Sequence, residues 1–467
     1  MSRRAVWLPP ASAGLIALAV YWLTLARDLT WANFGVDGGE LITAVVTHGS
    51  PHPPGYPLYI LAGRLAYWLP LEPVALRFNL LSAGCVALAA AIVAHLGAQD
   101  GLPFAREKAG RITAVALGLT FAFAPLVWGQ ALIAEVYGLA LLLLAAFLYA
   151  LLTRRAAWLI GLLLGLSATA HPTAWLMLPL ALAFTPRPTW PRLFAGLLLG
   201  LLPFAALPWL IGPDSPVVWG DPTTLAGWWW LVSGQLYRGY LFALPPADWA
   251  ARLAAWGPSL LAQFTWAGLP LILVGVYGLD RAGRRAAGWL GGTAVLYLLF
   301  AFTYLPDDAI VNTLPAWLLG ALLLLPALRR LNWFALSLPL FLLLLHFNGQ
   351  NLQADQQVRE QTEALLPAIP RAAIVETPGD GTIFTLWYFQ HVEGQRPDIV
   401  LVDSALFAYD WYRARLARLY PDLAALDQPD SAVFREANGG KRPFCQTTLA
   451  PPTAEPYQLI CFEDTTP

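Results

Sequence analysis

Residues 36–59 read VDGGELITAVVTHGSPHPPGYPLY, a glycine- and proline-rich stretch in a chain that otherwise consists largely of long apolar runs. Apolar residues make up 58% of the 467 residues and charged residues only 12%, whereas soluble domains hold about 45–50% and about 25%. The runs extend over roughly 18 to 24 residues, the length that a helix needs to cross a ~30 Å hydrocarbon core. The composition therefore predicts an all-α polytopic membrane protein, with residues 36–59 in its first loop.

Eleven membrane spans are predicted from the apolar runs. The first follows Arg3 and Arg4. We interpret it as a retained span, because it is long for a signal peptide and no small-residue cleavage site follows it. The spans are placed at 7–27, 77–98, 112–128, 131–152, 156–170, 173–186, 191–211, 257–279, 287–304, 309–328 and 331–347.

The basic residues indicate which loops lie inside. Segment 54–70 is apolar enough to span, but it opens at a proline pair and carries Arg64 in its middle. If it lies flat on the membrane, the inner loops hold 14 Lys and Arg and the outer loops of the membrane part hold five, as the positive-inside rule requires. We therefore predict an interfacial helix there, in a multi-pass protein of the cell membrane.

The acidic residues show the opposite distribution. Ten lie in the predicted outer loops and three in the inner loops. Because acids contribute little to topology, a functional outer surface is the better explanation. The ten are Asp28, Asp37, Glu40, Glu72, Glu135, Asp214, Asp221, Asp248, Asp307 and Asp308.

The composition changes near residue 350, which divides a membrane part, 1–349, from a polar part, 350–467. Two short buried strands, Ala372–Thr377 and Asp398–Asp403, flank a helix over Thr382–Val392, as in a small α/β domain. The topology places this domain and the active site on the extracytoplasmic side. Cys445 and Cys461 could pair in an oxidising compartment or stay free.

Asp37 and Glu40 stand three residues apart and share a face if a helix begins there. One reading is a capping pair, with Asp37 at the N-cap and Glu40 at the third position. Capping does not explain Gly38 and Gly39, which weaken a first turn by about 1 kcal/mol each relative to Ala. Glycine is expected where something approaches the backbone closely, so we also predict a functional role for the two acids.

His48 and His52 surround a turn that contains Pro51 and precedes Pro53. Histidines can bind metal ions, but two alone are weak support, and a rigid structural turn is the preferred interpretation. A divalent metal remains possible because acids are plentiful, although the spacing of the residues demands none.

Further candidates lie at the outer ends of predicted spans. Glu135 is an acid at the membrane boundary, which favours a function. His171 could equally be a hydrogen-bonded core histidine. Asp221 opens the longest outer loop, and Arg238, one of few outer cations, could meet a phosphate. Asp308, next to Asp307, is interpreted as part of a solvated turn.

These motifs together resemble one family. The run VDGGE at 36–40, followed by HPPGYPLY at 52–59, is similar to the signature of the transmembrane-protein-260-like protein O-mannosyltransferases. AEVY at 134–137, His171, WGDP at 219–222 and the stretch from Gly379-Asp380 to RPD at 396–398 continue the match in order. More distantly, the order of parts resembles the GT-C superfamily of glycosyltransferases.

The resemblance implies a donor sugar on a polyprenyl phosphate, with Asp37 as the catalytic base that activates an acceptor hydroxyl on protein or glycan. Glu40 accompanies it, and Arg64 and Arg238 would contact the leaving phosphate. Mannose is implied by the family alone, and a related hexose or pentose stays open. The remaining substrate-binding candidates are His52, Tyr56, Glu135, Tyr137, His171 and Asp221.

Other classes of function fit the sequence less well. A transporter or flippase of lipid-linked sugars would also use outer acids, but it usually shows repeated halves or broken helices at mid-membrane. A scaffold would not need several acids at one boundary. No basic tract indicates nucleic acid, and no nucleotide-binding glycine loop is present.

Overall fold

The computed structural model describes residues 3–105, 107–449 and 457–462. The membrane part begins with twelve α-helices. They are α1 (Arg3–Thr24), α2 (Gly38–Val46), α3 (Pro57–Tyr67), α4 (Val74–Gly97), α5 (Arg111–Ala122), α6 (Pro125–Ala131), α7 (Tyr137–Leu152), α8 (Ala157–Ala170), α9 (Leu178–Phe184), α10 (Trp190–Gly200), α11 (Leu202–Leu210) and α12 (Leu225–Val232).

Five further helices complete the membrane part, and four more accompany the strands of the carboxyl-terminal part. They are α13 (Trp249–Ala262), α14 (Thr265–Tyr277), α15 (Arg281–Thr303), α16 (Leu314–Leu331), α17 (Ser337–Gln350), α18 (Gln357–Leu365), α19 (Asp380–Trp387), α20 (Asp410–Leu419) and α21 (Ser431–Gly439). The strands are β1 (Ile374–Thr377), β2 (Val400–Asp403), β3 (Phe444–Leu449) and β4 (Tyr457–Phe462).

The helices of the described residues confirm a polytopic membrane fold. Four helical stretches are long and apolar enough to cross a membrane, and the number rises to six if each of two bent pairs counts as one span. The pairs, α5 with α6 and α13 with α14, bend by 72° and 73°. Shorter apolar helices cover four further predicted spans. The count of eleven spans stays a prediction, although each predicted run coincides with helical elements.

The longest helical stretch, Asp307–Gln350, consists of two helices that run in opposite directions. Asn332, with φ 53°, interrupts it. Arg329 lies in the last turn of α16, at the end opposite to Asp307. Its guanidinium donates to four main-chain carbonyls, those of Gly97, Gln99, Ala105 and Glu107. Beyond α17, the chain returns to α1, where the Leu352 N–H donates to the Thr24 carbonyl at 2.9 Å. This hairpin matches the two spans predicted there.

Helix α3 is the predicted interfacial helix. Its 11 residues extend over roughly 16 Å at 1.5 Å per residue, about half of a bilayer core. Gly63 packs against Val45 of α2 and Phe78 of α4. The opposite face exposes Leu61, Leu65 and Trp68, an apolar stripe at the spacing of a helix face that lies on lipid.

The carboxyl-terminal part forms a four-stranded sheet with the order β2-β1-β3-β4. Strand β1 pairs in parallel with β2 and β3, and β3 pairs with β4 in antiparallel orientation. The two predicted strands and the helix between them are confirmed. The sequence did not predict β3 and β4, which hold Cys445 and Cys461 directly opposite each other in a disulfide.

This sheet domain packs directly on the first outer loop. A buried apolar core joins α2 and α3 to α19 and the strands. The Trp31 indole donates to the Thr385 hydroxyl at 3.1 Å. Arg359 of α18 forms ion pairs with Asp28 and Glu393. The membrane part and the carboxyl-terminal part therefore share one core around residues 36–59.

Candidate active site

Glu40 lies at the centre of the candidate site. It is fully buried in the first turn of α2, and both carboxylate oxygens bind His52. Oε1 accepts the His52 backbone N–H at 3.0 Å, and Oε2 lies 2.5 Å from ring Nδ1. Asp37 stands at the N-cap of α2, but its side chain makes no capping hydrogen bond. The predicted capping pair is therefore wrong, because the Glu40 carboxylate points into the core towards His52.

The turn that carries His52 is shaped by local conformation. Gly55 has φ 84° and Tyr56 has φ 38°, so the chain reverses before Pro57 starts α3. A second loop covers it, since the Ser50 N–H donates to the Val217 carbonyl at 2.9 Å and the Trp219 N–H donates back to Ser50 at 3.2 Å. Prolines and these main-chain bonds hold His52 above the first turn of α2.

His52 connects the two acids of the first loop. Its Nε2 lies 3.7 Å from Asp37 Oδ2 and 3.1 Å from the Tyr56 hydroxyl. The rings of Trp219 and Tyr237 stand edge-on to it at 6.2 and 6.1 Å between centroids. The interpretation of this segment as a structural turn describes its backbone. It does not predict that the imidazole of His52 lies between Asp37 and Glu40.

The charged side chains of Asp37, Glu40 and His52 shift one another's pKa values. Burial by itself lowers the pKa of His52, but the carboxylates of Glu40 and Asp37 outweigh it and raise that pKa to about 10. Burial raises the pKa of Asp37 to about 6; His52 opposes the rise, and Glu40 and Asp308 add to it. The result is an imidazolium beside a carboxylate that titrates closer to neutrality than a free Asp.

Two further acids, Asp308 and Asp380, act electrostatically on this group. Asp308 comes from the 3-10 helix Asp307–Thr313, which is held by Arg252 through the carbonyls of Tyr304 and Leu305. Asp380 comes from the start of α19 in the sheet domain, where burial and then Asp37 raise its pKa to about 6. The solvated turn predicted at Asp308 agrees with its exposure. Asp380 is not among the residues selected from the sequence, although the Gly379-Asp380 pair belongs to the family motif.

Behind Asp37, a row of aromatic and polar side chains continues into the membrane part. The rings of Tyr56 and His171 stack at 6.3 Å, and Tyr137 lies 5.0 Å from His171. The Thr173 hydroxyl binds His171 Nδ1 at 2.8 Å, and burial lowers the pKa of His171 to about 3, so this ring is neutral. The predicted candidates Tyr56, Tyr137 and His171 thus lie together.

Glu135 is buried in the same region. Its Oε2 accepts the N–H of Val136 at 3.2 Å, while its Oε1 has no hydrogen-bond partner among the described residues. The nearby backbone is tightly packed, because a Cβ on Gly38 would meet the Ala134 carbonyl at 3.2 Å. An unpaired buried carboxylate oxygen is costly in a structural role, which favours a functional one.

The remaining predicted residues lie apart from His52. The Asp221 carboxylate is at the surface and accepts from Thr223. The Arg64 guanidinium donates to the Leu210 carbonyl at 2.6 Å. Arg238 is exposed, but it follows Tyr237, whose ring contacts His52. Of the two predicted phosphate ligands, Arg238 is the more accessible.

The described residues contain no group of three or more His, Cys, Asp or Glu arranged to hold a metal ion. The acids surround His52, whose imidazolium takes the central place. The divalent metal that the sequence left open therefore has no preformed set of protein ligands in this part of the chain.

The fold defines the class of protein. Over 96% of this chain and 93% of the other, with 11% sequence identity and a TM-score of 0.59, it is similar to the crystal structure of ArnT from Cupriavidus metallidurans bound to undecaprenyl phosphate. The chain is a polytopic membrane protein with a GT-C-like fold, as the sequence predicted.

Sequence comparison relates the chain to one family within that class. Residues 37–188 match the model of the protein O-mannosyl-transferase TMEM260 N-terminal domain, and residues 358–429 match TMEM260-associated domain 2. The chain is 30% identical to the mouse protein O-mannosyl-transferase TMEM260 over 89% of its own length. The chain is thus similar to the TMEM260 family in both of these regions, and it spans 66% of the mouse protein's length.

Proposed function

We propose that this protein is a membrane glycosyltransferase that moves a sugar, mannose or a related hexose or pentose, from a polyprenyl phosphate to an acceptor hydroxyl on protein. The observation that carries the proposal is the state of Asp37: its side chain is 34% exposed, while His52 beside it and Glu40, which binds His52, are buried. A base that meets substrate must be accessible and its surroundings rigid.

The reaction proposed is a single displacement with inversion. The acceptor hydroxyl gives its proton to the Asp37 carboxylate as its oxygen bonds to the anomeric carbon. The bond from that carbon to the phosphate oxygen breaks, and the polyprenyl phosphate leaves with the electron pair. The leaving phosphate must be stabilised by positive charge. We assign this role to Arg238, which is exposed at the surface beside the site.

A lipid-linked donor is supported by the two relatives. In this chain, a small and mostly apolar cavity lies beside His171, and its lining includes Tyr137, Leu141, Val311 and Leu314. The structural relative was crystallised with undecaprenyl phosphate, and the family relative is named for O-mannosyl transfer.

An extracytoplasmic active site is supported by the disulfide between Cys445 and Cys461. Such bonds form and persist in oxidising compartments, and the domain that holds them packs on the loop with Asp37. We therefore place the site, the sheet domain and the protein acceptor on the outer face of the cell membrane.

Asp37→Asn tests the role of the base. The variant should lose transfer by at least about 100-fold, since general-base catalysis contributes about 10²–10⁴, while the protein still inserts and stays monodisperse. Transfer is measured with purified protein, farnesyl-phosphoryl mannose and a Ser/Thr-rich peptide, followed by mass spectrometry. Asp248→Asn, in an exposed acid of another outer loop, is the matched control. Transfer at the wild-type rate by Asp37→Asn would overturn the assignment.

A further inference from the structure

Glu40 and His52 form two hydrogen bonds with each other, more than a turn needs to keep its shape. Glu40 is buried at 0% exposure, and its two oxygens are taken by the backbone N–H and the ring Nδ1 of His52. With Nδ1 held at 2.5 Å, Nε2 is turned towards Oδ2 of Asp37 at 3.7 Å and the Tyr56 hydroxyl at 3.1 Å. One buried carboxylate thus fixes the position, the ring orientation and the charge of the histidine.

We propose that Glu40 and His52 form a positioning unit for Asp37, in which Glu40 fixes a charged imidazole and that imidazolium keeps the Asp37 carboxylate ionised and aimed at the mouth of the site. The inference rests on the proposed function and assigns separate tasks within it. Glu40 sets orientation, His52 supplies charge, and Asp37 contacts the substrate. Neither Glu40 nor His52 needs to contact the reacting atoms.

The charges around the site make such a unit necessary. His52 is faced by Asp37 from the 3-10 helix before α2, Glu40 from α2, and Asp380 from α19. Asp308 and Glu135 act on Asp37 or on each other from the neighbouring elements, and Tyr56 and Tyr237 close the sides. Like charges this close oppose ionisation of one another. His52 lowers the pKa of Asp37 and so opposes the effect of these acids. Removal of His52 should therefore favour the protonated form of Asp37.

His52→Gln separates charge from hydrogen bonding, because the glutamine amide can still donate near the Nε2 position but carries no charge. The purified protein is titrated by pH-difference infrared spectroscopy, and the Asp37 carboxyl band is assigned by its loss in Asp37→Asn. The wild-type midpoint is expected near 6. In His52→Gln it should rise by about one pH unit or more. An unchanged midpoint in a monodisperse His52→Gln protein would overturn the inference.

Glu40→Gln tests the other half of the unit. Without the carboxylate, the pKa of His52 should fall from about 10 towards the range of a free histidine, because the largest raising charge is gone. The imidazole bands in the same titration report this shift. If the pKa of His52 stays high in Glu40→Gln, the assignment of Glu40 is wrong. This measurement also keeps the proposal testable should His52→Gln not fold.

His48→Gln is the matched control, since His48 is an exposed histidine four residues away that shares the loop but not the site. It should leave the Asp37 midpoint where it is. The infrared titration needs no substrate, so it distinguishes the two proposals. Transfer by Asp37→Asn would overturn the proposed function, whereas an unmoved midpoint in His52→Gln would overturn only the positioning unit.

Discussion

Two acids three residues apart have different environments in this protein. Asp37 keeps a third of its side chain exposed, while Glu40 is fully enclosed and bound to His52. The difference arises because Asp37 ends a 3-10 helix at the surface of the site, whereas Glu40 projects from the buried face of α2. The exposed acid can meet an acceptor, and the buried one can act only through its histidine.

The rate of transfer should fall in acid, with a midpoint near pH 6. Asp37 must be ionised to accept a proton, and its folded-state pKa is raised to about 6 by burial, Glu40 and Asp308. Well below that pH, kcat/KM should drop about tenfold per unit, in proportion to the ionised fraction. A pH–rate profile checks this. A limb near the ordinary Asp pKa of about 4 would contradict it.

At the scale of elements, the site is assembled where α2 meets α19. Gly39 lies against the last turns of α19, so that a Cβ there would come within 2.4 Å of the Phe384 carbonyl oxygen. Gly381 of α19 lies beside Val36, next to Asp37. This close packing of two helix backbones brings Asp380 of the sheet domain to the acids of the first loop. Of the two glycines that capping left unexplained, Gly39 serves this approach, whereas Gly38 lies against Ala134 and Leu29.

Gly39→Ala should weaken the protein and the site together. The added methyl group collides with main-chain atoms of α19, and overpacking of this kind costs about 1–3 kcal/mol. Thermal unfolding in detergent should occur at a lower temperature, and transfer should fall because Asp380 is displaced. Gly84→Ala in α4, with nothing within 4 Å of the new Cβ, should be neutral or slightly stabilising. Equal stability of the two variants would refute the packing argument.

At the scale of the whole molecule, the sheet domain and the first outer loop share one apolar core beside the candidate site. Arg359 joins Asp28 at the end of the first span to Glu393 of the sheet domain, and Asp28 is 3% exposed. Removal of Arg359 would leave the buried Asp28 carboxylate without its ionic partner, which is destabilising. Together with the core shared by α2, α3 and α19, this pair fixes the domain over the first outer loop.

The disulfide provides a test of the side on which that domain lies. The chain has three cysteines, and Cys85 is free and buried while Cys445 and Cys461 are paired. Protein is taken from cells under acid quench, denatured and then labelled with maleimide–polyethylene glycol. It should gain one label without reductant and three labels with reductant. The double variant Cys445→Ser/Cys461→Ser should gain one label in both cases. Three labels without reductant would argue against an oxidising, extracytoplasmic location.

The sequence by itself determined the class of fold. Apolar run lengths and the distribution of Lys and Arg depend on local composition and on the thickness of a bilayer, so the helices of the membrane part and the interfacial helix α3 could be predicted. The motif at 36–59 indicated the family and selected Asp37, Glu40 and His52. Short apolar runs predicted the buried strands β1 and β2 in the sheet domain.

Only the tertiary structure decided which of these residues act together. The bond from Glu40 to His52 joins residues 12 apart through a turn, and Asp308 and Asp380 reach the site from chain segments about 270 and 340 residues further on. No local pattern specifies such contacts, because they depend on how α2 packs on α19 and where Arg252 holds its loop. The sequence at 36–59 therefore identifies the acids. Packing decides that Asp37 is exposed and that Glu40 is bound to His52. It also brings Asp380 of the sheet domain near them.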